Sequence, residues 1–273
     1  MLYLSKKWYT SNRYYIHFIV TNLKGDTSMK SKIIIGILVI IIASFSICFA
    51  KTFSDVEKNH WAYKYIDKLS NDGVINGFED GTFHPSETLT KAQFIKLVVL
   101  SNKFLAQKVS SALTSTDASR QWYESYYEVA DAYKLLPSGY SKSKLNTSIS
   151  RKDMAEILTK LIKFVSYFDT LSVEAQNKLK DELAKNPKLI ENAFSQYMAN
   201  VDKKLKKSFK DVKKLDTQTQ ENIYIVKDLK IINGYEDSTF KPDNFVTRAE
   251  ASKVLYVYND LSAKGGQIIS VNK

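Results

Sequence analysis

Cysteine is nearly absent. Cys48 alone occurs in 273 residues, so no disulfide framework can brace the fold. Histidine is almost as scarce, with His17, His60 and His84 only. There is no Ser-His-Asp order with a nucleophile elbow, no metal-ligand spacing and no phosphate-binding glycine loop. Acids are plentiful, but nothing in the sequence singles out a carboxylate pair of the kind that cleaves glycosides. The residues therefore point away from catalysis, and no metal or cofactor is expected.

What is present is ordinary globular composition, 44% hydrophobic and 25% charged, enough for a real core. The net charge is +11; residues 1–50 hold six Lys/Arg and one acid, which leaves 34 basic against 28 acidic groups in the remainder, a net of +6. A mild positive balance suits an anionic polymer and equally suits an ordinary solvated surface. Met29-Lys30-Ser31-Lys32 precedes an apolar run over 33–47 that ends Cys48-Phe49-Ala50. A basic start, an apolar core and a small final residue describe a secretory signal peptide over 29–50, cleaved after Ala50. On that reading 1–28 is an upstream extension from a wrongly chosen start codon. The run is short for a membrane anchor, and Phe45-Ser46-Ile47 is a poor lead-in to an acylated Cys48.

An internal repeat organises the rest. Ile75-Asn76-Gly77-Phe78-Glu79-Asp80-Gly81-Thr82-Phe83-His84-Pro85 returns as Ile232-Asn233-Gly234-Tyr235-Glu236-Asp237-Ser238-Thr239-Phe240-Lys241-Pro242. Over 73–97 against 230–254, 11 of 25 positions are identical without a gap, an offset of 157. Each copy reads as helix, loop, helix. Trp61, Tyr65, Ile66 and Leu69 give a helical face, and Gly73 can take the left-handed position after it. Phe78 and Phe83 read as apolar pegs of the loop. A middle copy is weaker: Trp122, Tyr126, Tyr127 and Ala130 keep the helical spacing, and the loop over 137–149 is one residue shorter. Residues 166–208 fit no copy. They read as amphipathic helices with Val173, Leu179, Leu183, Leu189, Phe194 and Met198 inward, broken at Asn186-Pro187. The basic cluster Lys203-Lys204-Leu205-Lys206-Lys207 reads as a solvated helix end.

Each copy's second helix opens on a capping pattern: Thr90 with Gln93, Ser150 with Asp153, Thr247 with Glu250. The first helical position is then basic three times, at Lys91, Arg151 and Arg248, where the macrodipole favours an acid. Either an anion is held jointly by the helix amides and the cation, or the cation pairs with an acid such as Asp55, Asp211 or Glu79. Trp61 and Trp122 read first as anchors to the core and second as platforms for a sugar. Glu79-Asp80-Gly81 and Glu236-Asp237 are turn residues rather than a calcium loop.

These residues resemble the S-layer homology module. The resemblance is carried by Phe53-Ser54-Asp55-Val56, by Trp61-Ala62 with Tyr65-Ile66 and Leu69, by the loop at 77–85, and by Thr247-Arg248-Ala249-Glu250. It covers nearly all of 51–165 and 209–262. It implies an all-α fold, with three helix-loop-helix repeats in a pseudo-threefold bundle and a helical segment inserted between repeats two and three. The expected layout is repeat one at 51–105, a degenerate repeat two at 106–165, the insertion at 166–208, repeat three at 209–262 and a tail at 263–273. It also implies non-covalent binding of anionic, often pyruvylated, secondary cell-wall polysaccharide in grooves between the repeats. The implied ligand-binding residues are Arg248, Arg151, Lys91, Asp55, Asp211, Trp61 and Trp122. Lys91 for Arg, Gln93 for Glu, a middle loop without the signature and a last repeat without the Trp leave fewer than three working grooves. The expectation is a secreted, non-catalytic protein on the wall or S-layer of a bacterium, with other S-layer or surface proteins as further partners. Neither a nucleic-acid partner nor a membrane span after signal cleavage is expected. The alternatives are an S-layer assembly or interaction scaffold with little glycan binding and, further off, a wall-active enzyme.

Overall fold

The structure is a computed structural model that describes residues 53–112, 119–195 and 209–264, all within a unit spanning 50–273. The signal segment, Met198 and the basic cluster at 203–207 lie outside the described residues. Among those described, no helix is long and apolar enough to cross a membrane.

The described chain is all-α, with nine helices and no sheet. In order these are α1 (Tyr63–Asn71), α2 (Lys91–Leu100), α3 (Lys103–Ala112), α4 (Glu124–Ala132), α5 (Arg151–Phe168), α6 (Val173–Lys185), α7 (Leu189–Ala193), α8 (Thr217–Asp228) and α9 (Arg248–Ala263). Three units result, each a helix, a loop and a helix: α1 with α2, α4 with α5, and α8 with α9. The second helix of each unit packs on the first helix of the next: α2 on α4, α5 on α8, and α9 back on α1. The ring thus closes on itself in pseudo-threefold fashion.

Backbone hydrogen bonds show the same cycle at its centre. The amide of Leu89 donates to Val246 O (2.9 Å), that of Val246 to Ile149 O (3.1 Å), and that of Ile149 to Leu89 O (2.9 Å). All three side chains are buried, so these paired groups lie where an unpaired amide would be costly. Short antiparallel bridges flank them, Thr88 with Thr247, Thr90 with Ser148, and Ser150 with Phe245.

The three first helices stop in one way. Gly73, Lys134 and Lys230 hold positive φ of 72°, 59° and 56° just past the helix. The next amide then reaches back, Val74 to Leu69 O, Leu135 to Ala130 O, and Ile231 to Val226 O. That is the Schellman arrangement, and its following apolar residue enters the core. Gly77 and Gly234 are required for a different reason. A Cβ at either would collide with the ring of Phe53 or Phe209 and with the carbonyl of Thr82 or Thr239.

The insertion is cemented to the middle unit. Leu179, Leu183 and Phe194 are buried, and Phe104, Tyr133, Phe164 and Phe168 form an aromatic cluster beside them. Lys163 of α5, 1% exposed, pairs with Glu191 of α7. Val173, expected inward, is 74% exposed: as the first residue of α6 after the Ser172 cap it lies at the solvent end. Helix α3 has no counterpart in the repeat pattern; Asn102 caps it by accepting from the Leu105 amide (3.0 Å).

Candidate functional site

The capped helix starts lie at the seams between units. Thr90 and Thr247 each form a full capping box with Gln93 and Glu250, while Ser150 accepts from the Asp153 amide without the reciprocal bond. The next two amides of each helix are also engaged, by carbonyls of the neighbouring loop. Lys91 and Ala92 donate to Thr147 O and Leu145 O, Arg151 and Lys152 to Asn244 O and Pro242 O, and Arg248 and Ala249 to Glu87 O and Pro85 O. The first-turn amides are therefore spent inside the protein, which leaves the cationic side chains as what each helix start offers a ligand.

Each cation crosses its seam to the neighbouring loop. Arg248 donates from Nε to Phe83 O (2.6 Å) and from Nη2 to Asn76 O (3.0 Å), with its guanidinium over the rings of Phe83 and Phe78 at 4.4 and 4.9 Å. Arg151 repeats the grip, from Nε to Phe240 O (2.9 Å) and from Nη2 to Asn233 O (3.3 Å), over Tyr235 and Phe240. Lys91 places its ammonium 4.8 Å from the Tyr140 ring and 3.7 Å from Asp153. Arginine at the first helical position is thus explained by loop carbonyls and aromatic faces, which match its planar fork. For the two arginines the structure shows neither a direct ion pair with Asp55 or Asp211 nor free amides beside them.

Asp55 and Asp211 stand behind the loops. Asp55 accepts from the amides of Phe83 and His84 (2.7 Å each), and Asp211 from those of Phe240 and Lys241 (2.9 and 2.8 Å). The positive φ of His84 and Lys241 turns successive amides toward one carboxylate. Both acids therefore position the loop that carries Phe83 or Phe240.

The Arg248 seam opens as a cleft. It measures ≈ 250 Å³, and its polar rim is Arg248, Lys96, Gln93 and Asn76, with Trp122 and Phe78 as aromatic walls. Trp122 is 52% exposed and Phe78 42%. Phe78 is therefore not the core peg the sequence suggested; Phe83 is, at 2%. Burial pushes the Arg248 guanidinium pKa down, while Glu87 and Asp55 push it back up. Trp61 is also exposed, at a separate depression of ≈ 230 Å³ formed with His60, Pro85, Ser86, Thr247 and Glu250. The favoured reading of both tryptophans as core anchors gives way to exposed rings at cleft mouths. Lys96 and the exposure of Phe78 were missed. Lys96 lies one turn after Gln93 on the same helix face, which was the available signal. Among the described residues no cluster of three metal-ligating side chains forms.

The S-layer homology domain family model matches residues 52–95 and 208–252, the first and last units. The amylopullulanase of Thermoanaerobacterium thermosulfurigenes is 23% identical over 219 residues, 80% of this chain but 10% of that enzyme. The S-layer protein sap of Bacillus anthracis is 20% identical over 256 residues, covering 82% of this chain and 31% of that protein. A cellulosome-anchoring protein of Acetivibrio thermocellus is 31% identical over 98 residues, covering 33% and 20%. The chain thus spans a minor part of each relative.

Proposed function

We propose that this chain is a non-catalytic attachment module of a bacterial cell envelope that holds an anionic wall polysaccharide, pyruvylated chains included, in the cleft at Arg248. The observation that carries this reading is a cationic cleft between two exposed aromatic rings. Sugars offer apolar C–H faces to such rings, and an acidic substituent finds a guanidinium with donors to spare. The relatives support attachment over chemistry. An amylopullulanase, an S-layer protein and a cellulosome-anchoring protein are similar to this chain over a small share of their lengths, so the similar part is not tied to one activity.

On this reading the middle unit is a third, degenerate copy of the module. Its support is the shared helix terminator and its place in the hydrogen-bonded ring. Residues 29–50 act as the export signal and 166–208 as an insertion. Trp122 and Arg248 touch the glycan, and Asp55 fixes the loop beside them. Arg151, Lys91 and Asp211 shape the other two seams, and Trp61 marks a secondary contact. The test is co-sedimentation with cell walls before and after extraction of the non-peptidoglycan polymer. Binding should vanish with the polymer, and Trp122→Ala should weaken it by about 1 kcal/mol while leaving the fold intact. Equal binding to extracted walls would overturn the reading.

A further inference from the structure

We propose that the three seams are not three copies of one glycan site: only the Arg248 seam takes an acidic sugar, and Lys96 sets its preference for anions. The inference rests on the attachment reading above and adds which seam works and why.

Lys96 lines the cleft half-buried, with Nζ 5.6 Å from the Trp122 ring centre and 5.7 Å from that of Tyr126. It has no carboxylate or hydrogen-bond partner among the described residues. An ammonium carries three donors, so this one is held against two aromatic faces with its donors unspent. Arg248 uses two of its five N–H donors on Phe83 O and Asn76 O, which leaves three. Two cations with free donors thus border one cleft whose base is Val74, Ile75, Leu89 and Leu97. An apolar base strengthens their pull on an anion. Gln93, the neutral member of the capping boxes, forms the wall beside them.

The matching positions elsewhere reverse this. In the middle seam Lys96 is replaced by Glu156, Gln93 by Asp153 and Arg248 by Lys91. Lys91 lies 3.7 Å from Asp153, Glu156 pairs with Lys160 at 3.8 Å, and Tyr140 fills the space under the Lys91 ammonium. Two carboxylates therefore stand where the first seam has a cation and an amide, and an acidic sugar is repelled. In the last seam Arg151 is 6% exposed and engaged with two carbonyls and two rings. Its wall is Glu250, and Lys253 points into solvent as an exposed residue.

Calorimetric titration tests this, using extracted acidic wall polysaccharide, a hexosamine bearing a pyruvate ketal, and the methyl ester of that ketal. The expected result is one monosaccharide site per chain, with the neutral ester bound about tenfold more weakly or worse. Lys96→Glu, which copies the middle seam, should cost at least about tenfold for both acidic probes. Lys96→Arg should stay within about threefold, and Lys253→Glu should change nothing. Unaltered thermal unfolding of Lys96→Glu confirms that the loss is one of recognition. Two or three equivalent sites, or polysaccharide affinity that survives Lys96→Glu, would overturn the inference while leaving attachment standing. Failure of the chain to bind any wall polymer would overturn both.

Discussion

Arg248 and Arg151 perform the same act in two seams and come to different ends. Each sits at the first position of a capped helix, crosses to the neighbouring loop, and donates Nε and Nη2 to two carbonyls. Arg151 is sealed to 6% exposure, whereas Arg248 remains part of an open cleft. The contrast teaches that the shared signature secures a joint between units. Whether the joint is also a binding site depends on what stands beside it, here Lys96, Gln93 and Trp122.

Substitution should separate the two roles. Arg151→Ala leaves two carbonyls without their donor in a buried seam and opens space between two rings. It should cost about 3 kcal/mol in urea unfolding. Arg248→Ala should cost only about 1–2 kcal/mol of stability, because water reaches its site, and should show its main effect in wall binding. Equal stability losses would erase the distinction. Gly77→Ala and Gly234→Ala come next, at about 2–3 kcal/mol each, since the added methyl meets a buried ring and a backbone carbonyl. The two losses should match, because the two loops are built alike; a large inequality would show that the cleft seam has a looser frame. Smaller and opposite in sign, Lys230→Gly should stabilise by about 0.5–1 kcal/mol, because a lysine there holds a left-handed backbone that glycine adopts without cost. Lys134→Gly should do the same in the middle unit.

Much of the architecture was legible in the sequence. The offset of 157 and the three capping patterns located two loops and three helix starts, and the positions of Trp61 and Trp122 located two first helices. The structure adds that the units interlock in a cycle, and this was not readable from spacing. The bonds that close it are backbone bonds among Leu89, Ile149 and Val246, residues whose types say only that they are buried. Helix α3 was missed because it belongs to no repeat, and Leu105 and Val109, buried four residues apart, are too short a pattern to announce it. The basic residues stood out because they oppose the macrodipole, but their compensation by loop carbonyls depends on tertiary contact. Lys96 carried only the weak signal of sharing a helix face with Gln93, and its role shows once Trp122 from the next unit is seen beside it.

The mildest test addresses the middle seam and depends on pH. Burial, with Asp153, Asp216 and Glu191 nearby, pushes the Glu156 carboxyl above the usual glutamate range, and Lys160 offsets this only in part. A raised carboxyl pKa means that the folded chain holds this proton more tightly than the unfolded chain does. Stability from this group is therefore highest below the ordinary glutamate range and declines as pH rises through the raised native value; at neutral pH the cost is fully present. Glu156→Gln removes that cost and gives up only a long, 3.8 Å contact with Lys160 that does not fully offset it. The variant should melt about 1–3 °C higher than the parent at pH 7, and the gain should disappear near pH 4. A gain that is the same at both pH values would mean that Glu156 is not strained by its surroundings. The acid wall of the middle seam would then be a solvated surface with no power to turn an anionic sugar away.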